Sequence, residues 1–150
     1  NVLVDQMAAI LLQDGTMLDA EGNTSLKFTN IVPTNTYHII VRHRNHLDII
    51  STNPINVYPS ATYDFTTSIA QALGTAQQKL MSDGKAVLIT GDMNADGVIT
   101  VEDFNDYSTQ ISGINSYFTG DLNLDRAVTI LDFNYYRPNA SKIGVPYVRY

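Results

Sequence analysis

The chain has no cysteine and no tryptophan, and only nine basic residues against fifteen acidic ones. Without cysteine there is no disulfide framework, no thiolate metal centre and no thiol redox chemistry. That absence leaves the compartment open. A net charge of -6 argues against a broad basic face for phosphate backbones, so nucleic acid is not an expected partner. No apolar run is long enough to span a bilayer and no basic-then-apolar leader opens the chain, so no membrane span is expected. The chain opens on Asn1 rather than Met, which reads as a piece of a longer polypeptide. An HExxH pair, a nucleophile elbow and a Gly-rich phosphate loop are also missing, so no enzymatic activity is expected. What is present is 150 residues with 44% hydrophobic content, enough to bury a core in one ordinary domain or two small ones.

The acid is unevenly placed. GDMNADGVITVEDFN, from Gly91 to Asn105, returns 29 residues later as GDLNLDRAVTILDFN, and the two agree at eight of fifteen positions. The shared residues are mostly oxygen bearers, whereas a packing repeat would keep its apolar positions. Three carboxylates within twelve residues repel one another unless a cation sits among them. The oxygen donors fall at offsets 1, 3, 5, 7, 9 and 12, the order in which a twelve-residue loop wraps a hard cation. In the first loop these are Asp92, Asn94, Asp96, the carbonyl of Val98, Thr100 and Asp103; in the second, Asp121, Asn123, Asp125, the carbonyl of Ala127, Thr129 and Asp132. Mixed oxygen ligands in a relaxed geometry favour Ca2+ over Mg2+ or a softer metal, and two ions are expected. Gly97 suits the sharp turn at the sixth place, while Arg126 replaces it in the second loop, which is therefore expected to be weaker or distorted. A single such string could be an Asx-rich turn; two in-phase copies, each with a closing Asp and a following Phe, argue against it.

Each loop runs into a helical pattern. VEDFNDYSTQI sets Val101, Phe104, Tyr107 or Ser108 and Ile111 on one stripe, and ILDFNYYRPN does the same with Ile130, Phe133 and Tyr136 or Arg137 until Pro138. No clear helix precedes either loop, and both close with Asp rather than the bidentate Glu of an ordinary EF-hand. Two GDxNxDxxxxxxDFN units of this kind resemble a dockerin, with the match running from Leu88 to Gly144. The resemblance implies two calcium ions, two antiparallel helices related by a pseudo-two-fold axis, and an extracellular setting. Dockerins that bind a cohesin often carry hydroxyl pairs just before the closing Asp. Here those positions hold Val101 and Glu102, then Ile130 and Leu131, a departure that weighs against cohesin binding and leaves the apolar residues there open to another interface.

Residues 1–85 read as strands. Gln6–Gln13, Leu26–Thr29, Tyr37–Arg44, Asp48–Ser51, Ile55–Tyr58 and Thr62–Thr66 are rich in β-branched and aromatic residues and are separated by turn signals. The expected fold class is α+β, mostly β: an antiparallel β-sandwich of transthyretin- or immunoglobulin-like type over 1–85, then a dockerin-like lobe over 86–150. LKFTNIVPTNTYHIIVRHRNH resembles the strand-turn-strand of small transthyretin-like surface sandwiches. VRHRNHL, a YDFTT strand and a GD loop together resemble the C-terminal regions of large secreted surface proteins of Bacteroidota-type bacteria. The strands are few for a sandwich, so an edge is expected to be completed by preceding polypeptide or by a strand from another chain. His43 and His46 are read as structural, since strand alternation gives them no reason to converge. SIAQALGTAQQKLMSDGK reads as a short helix or irregular connector, and Ala86–Thr90 as a strand buried against the first half. The tyrosines and phenylalanines of the second half read as helix packing rather than a carbohydrate platform.

These features point to a calcium-stabilised structural, adhesion or assembly module of an extracellular bacterial protein, whose partners are other protein chains. Two alternatives are a lobe that docks on a cohesin-like receptor and the C-terminal accessory part of a larger secreted hydrolase.

Overall fold

The structure is a computed structural model and describes residues 2–146. Asn1 and residues 147–150, the outer ends of the two expected units, lie outside the described residues. The fold is α+β and rich in short strands, arranged as three two-stranded antiparallel sheets and two helices. In chain order the elements are β1 (Ile10–Leu11), β2 (Met17–Leu18), β3 (Ile40–His43), β4 (His46–Ile50), β5 (Gln78–Leu80), β6 (Ala86–Leu88), α1 (Val101–Gln110) and α2 (Ile130–Tyr136). The pairs are β1 with β2, β3 with β4 and β5 with β6. Among the described residues no helix is long and apolar enough to cross a membrane.

The strands differ from the sequence expectation in extent. Tyr37–Arg44 contracts to β3 plus a single bridge from Tyr37 to Ile55, and Gln6–Gln13 contracts to β1. Leu26–Thr29 and Thr62–Thr66 form no strand, while β2 and β5 arise where none was expected. The alternation in these runs is local, and pairing partners decide which of it becomes a ladder. Residues 68–84 hold a 3-10 turn at Ile69–Gln71 and then β5 instead of a helix. Gly74 with φ 104 and Ala76 with φ 58 interrupt any helical path there.

β4 is the hub of the molecule. It pairs with β3 through Ile40 to Ile50, Val41 to Ile49 and His43 to His46, with an irregularity between Val41 and His43. Its other side meets the chain just before the first loop, where Leu47 N–H donates to Ile89 O at 2.8 Å and His46 bridges Thr90. Ile89 and Thr90 are buried as expected, but Val87 is exposed, because it faces away from β4. Leu47, Ile89, Met93, Ile99, Tyr107, Leu122, Val128 and Tyr136 form one core cluster, which joins β4 to both loops and both helices. A second cluster gathers Val41, Ile49 and Ala72, and a third joins Ile50 to Val145 near the end of the described chain.

The helices start where the loops end. Thr100 and Thr129 are their N-caps, each hydroxyl accepting from the backbone two residues on, and Asp103 and Asp132 complete a capping box in each. Such caps and tertiary packing matter because helices of ten and seven residues are marginal alone. The buried helix positions are Asp103 with Tyr107 and Asp132 with Tyr136. Val101, Ile111 and Ile130 on the expected apolar stripes are exposed, so the stripe reading held for the tyrosines and not for the stripe ends.

Candidate functional site: two matched acidic loops

The two loops have the same internal bonding. In the first, Asp92 Oδ1 accepts from Asp96 N–H at 3.1 Å and its Oδ2 from Gly97 N–H at 3.0 Å. In the second, Asp121 Oδ1 accepts from Asp125 N–H at 3.1 Å and its Oδ2 from Arg126 N–H at 3.0 Å. Asp96 Oδ1 accepts from Val98 N–H and Asp125 Oδ1 from Ala127 N–H, both at 2.9 Å. Asn94 and Asn123 each accept from the Asp two residues on, closing the Asx turns that their spacing implies. The closing Asp103 accepts from Met93 and Thr100 N–H, both at 2.7 Å, and Asp132 from Leu122 and Thr129 N–H, both at 2.8 Å.

The expected distortion of the second loop is not found. Arg126 takes φ 75 where Gly97 takes φ 82, and both donate to the first Asp at 3.0 Å. Asp121 therefore imposes the left-handed turn on a residue that ordinarily avoids it. Ala95 and Leu124, at φ 59 and 61, repeat the same feature two residues earlier.

Four of the six carboxylates are deeply buried: Asp92 and Asp121 are 2% exposed, Asp103 and Asp132 0%. Burial pushes the Asp92 carboxyl up to about 6, with the charges of Asp103 and Asp96 acting in the same direction against the N–H of Gly97. Burial also raises Asp103, opposed by the backbone donors of Thr100 and Met93. Negative charge is thus held out of water at a cost that a cation would offset. The one ion pair among the described residues that reaches a loop carboxylate joins Arg44 Nη2 to Asp121 Oδ2 at 3.9 Å.

Among the described residues no three His, Cys, Asp or Glu side chains are grouped closely enough to hold a metal ion by themselves. A cation in these loops would instead draw on the mixed oxygen set of each loop: carboxylates, the Asn amide, the Val98 or Ala127 carbonyl and the Thr hydroxyl. The absence of nitrogen and sulfur donors from that set suits a hard ion. Thr100 and Thr129 carry a second task as helix caps, so closing a loop and starting its helix involve the same side chain.

Two tyrosines complete the site. Tyr107 on α1 donates its hydroxyl to Thr129 O of the second loop at 2.9 Å, and Tyr136 on α2 donates to Thr100 O of the first at 2.7 Å. Burial raises both phenols, and each also feels the closing carboxylate of the opposite unit, Asp132 for Tyr107 and Asp103 for Tyr136. Their rings pack with Phe104 and Phe133 in a matched cluster, Phe104 to Tyr136 at 6.2 Å and Tyr107 to Phe133 at 6.0 Å. Sequence reasoning placed these tyrosines in helix packing and missed their contact with the loops. The signal was present, because Tyr107 and Tyr136 stand at the same 29-residue offset as the acidic repeat.

The β3–β4 turn reaches into the second loop. Asn45, fully buried, donates through Nδ2 to Thr119 O at 3.0 Å and Asp121 O at 2.9 Å. Its Oδ1 is then left to accept from His46 Nδ1 at 2.8 Å, and His43 Nδ1 lies 2.8 Å from that same nitrogen. The two histidines do converge, contrary to the strand-alternation argument, because the chain reverses at Arg44 and Asn45 and makes them cross-strand partners. Burial brings His46 down to about 3, helped by His43 and Arg44, and burial with the Arg44 charge lowers His43. Both rings are therefore neutral near pH 7. Arg44 lies 4.0 Å over the Tyr117 ring.

No protein-family model, curated protein or solved structure matches the chain.

Proposed function

We propose that the chain is a calcium-stabilised, non-enzymatic structural and assembly module of an extracellular bacterial surface protein, with a dockerin-like lobe that takes up two calcium ions. The observation that carries this reading is the pair of matched loops, whose buried carboxylates accept from backbone N–H groups and, among the described residues, have one ion pair, from Arg44 to Asp121. Asp92, Asn94, Asp96, Val98, Thr100 and Asp103 form the first ligand set, and Asp121, Asn123, Asp125, Ala127, Thr129 and Asp132 the second. Calcium would supply charge neutralisation and cross-linking of each loop, so binding energy becomes folding energy. Millimolar calcium outside the cell suits such a device. The first half belongs to the same reading as a small sandwich completed by a strand from preceding polypeptide or another chain. Its support is the set of short separate sheets and the exposed apolar residues Val2, Leu3, Ile10 and Leu12.

Limited proteolysis with size measurement tests this. Millimolar calcium is expected to protect the loops and helices, and excess chelator to expose them to cleavage. Equal protease resistance in both conditions contradicts the reading. A larger species formed only with calcium identifies an assembling subunit.

A second reading, docking on a cohesin-like receptor, is favoured by Ile130 and Leu131, which are 65% and 53% exposed just before the closing Asp132. Calcium-dependent binding to a cohesin panel that is lost in an Ile130→Ser, Leu131→Ser variant supports it; no binding to any member counts against it.

A further inference from the structure

The backbone that closes each loop comes from the other unit. The segment after α1 clasps the second loop: Ser112 N–H donates to Val128 O at 3.0 Å, Val128 N–H to Gly113 O at 2.8 Å and Asn115 N–H to Arg126 O at 2.8 Å. The segment after α2 clasps the first loop in the same way: Ser141 N–H donates to Ile99 O at 2.8 Å, Ile99 N–H to Lys142 O at 2.9 Å and Gly144 N–H to Gly97 O at 2.8 Å. Isolated bridges of Ile114 with Ala127 and of Ile143 with Val98 fall between these bonds. Ser112 and Ser141 turn into their clasps at φ 70 and 78, and each follows a helix cap at φ -52 or -51. Among the described residues the two loops make no strand pair with each other. The crossing therefore runs through the helices and the segments after them, beside the Asn45 turn that touches the start of both loops.

We infer that the two loops close as one coupled pair, so that a cation in either loop raises the affinity of the other, with Tyr107 positioning the second loop and Tyr136 the first. This rests on the calcium reading above. α1 carries the closing Asp103 of the first loop at its N-terminal end and the clasp of the second loop just beyond its C-terminal end. α2 carries Asp132 and the clasp of the first loop in the same order. A hydrogen-bonded helix transmits displacement along its axis, so fixing Asp103 fixes the start of α1 and, through it, segment 112–115 on the second loop. The ligating carbonyl of Ala127 lies between two clasped residues, Arg126 and Val128, as Val98 lies between Gly97 and Ile99. The tyrosine hydroxyls add a second route, since each holds the carbonyl of the opposite ninth-position threonine. Coupling between binding sites is reciprocal by thermodynamic necessity, so both routes act in both directions.

The test is a calcium titration of the full chain followed by amide NMR, with Gly97 N–H reporting the first loop and Arg126 N–H the second. Asp125→Asn, at an exposed ligand of the second loop, is expected to weaken the first loop by about fivefold or more, a typical coupling factor. Asp96→Asn is expected to weaken the second loop in return. Tyr107→Phe removes one hydrogen bond and is expected to weaken the second loop by about threefold to tenfold, with a smaller loss at the first. Tyr136→Phe is expected to show the mirror image. If Gly97 titrates at an unchanged midpoint in both Asp125→Asn and Tyr107→Phe, the loops are independent sites and the coupling is wrong while the calcium reading stands. If neither amide responds to calcium in the unaltered chain, the calcium reading fails and the inference fails with it.

Discussion

Arg126 shows how one residue can break a local rule without breaking the loop. It occupies φ 75, where a non-glycine side chain costs on the order of 1–2 kcal/mol. Two bonds hold it there: its own N–H on Asp121 Oδ2 and its carbonyl under Asn115 N–H. Arg126→Gly is therefore expected to stabilise the chain by up to about 1 kcal/mol after the entropy of the unfolded glycine is subtracted, measured by denaturant midpoint. Asp92 gives a pH dependence. Its carboxyl is raised to about 6, so it is largely protonated below that pH in the ion-free chain and would have to lose the proton to hold calcium as proposed. First-loop calcium affinity is expected to fall as pH drops through about 6, with proton release on binding, read by calorimetry in buffers of different ionisation heat. His46 acts on folding. Its folded pKa near 3 lies below its ordinary 6.5, so the stability it contributes is complete above pH 6.5 and is lost as pH falls towards 3. His46→Gln is expected to flatten the acid limb of the stability profile. The matched acidic frame was legible at this scale because a loop proposed to hold a hard cation needs oxygen bearers at fixed offsets. The convergence of His43 and His46 was not, because it depends on where the chain turns.

The β3–β4 hairpin is the element with the most influence beyond its length. Its turn residue Asn45 satisfies the carbonyls of Thr119 and Asp121, its own carbonyl accepts from Gly91 N–H at 2.8 Å, and so it touches the start of both loops. Asn45→Ala removes the donor from the buried Asp121 carbonyl and the half-buried Thr119 carbonyl and is expected to destabilise by about 1–3 kcal/mol, more in the second loop than the first by hydrogen exchange at Arg126 and Gly97. The helices were legible as elements, since apolar and aromatic residues at three- and four-residue spacing mark them, and α1 and α2 lie inside the segments expected. Their buried faces were misread in part. An apolar stripe at Val101 and Ile111 satisfies the periodicity, yet the neighbouring unit covers only Tyr107 and part of Phe104. The strands were least legible, because Leu26–Thr29 and Thr62–Thr66 have strand composition yet form no ladder, Thr66 O taking only a single backbone bond from Ala86 N–H at 2.9 Å, a fact that no local pattern contains.

Across the whole molecule, the repeat dictates more than two loops. Each unit carries a loop, a helix, a tyrosine and a clasp at one common offset, and the crossing of those parts builds a single core rather than two. Leu47 of β4 is 1% exposed within that core and contacts the backbone of Ile89. Leu47→Ala is expected to cost about 2–5 kcal/mol and to lower the melting of loops and hairpin together, seen as one shifted transition by calorimetry. Two separate transitions, with only one of them moved, contradict a shared core. The sequence made the oxygen repeat visible and left its crossing hidden, since the bonds from 112–115 and 141–144 are made by backbone and have little side-chain signature. The most direct test of the central claim is the number of calcium ions bound per chain, by equilibrium dialysis at millimolar calcium, for the unaltered protein and for Asp92→Asn with Asp121→Asn. Two ions bound by the first and a marked loss in the second are the predicted result. No bound calcium in the unaltered chain contradicts it.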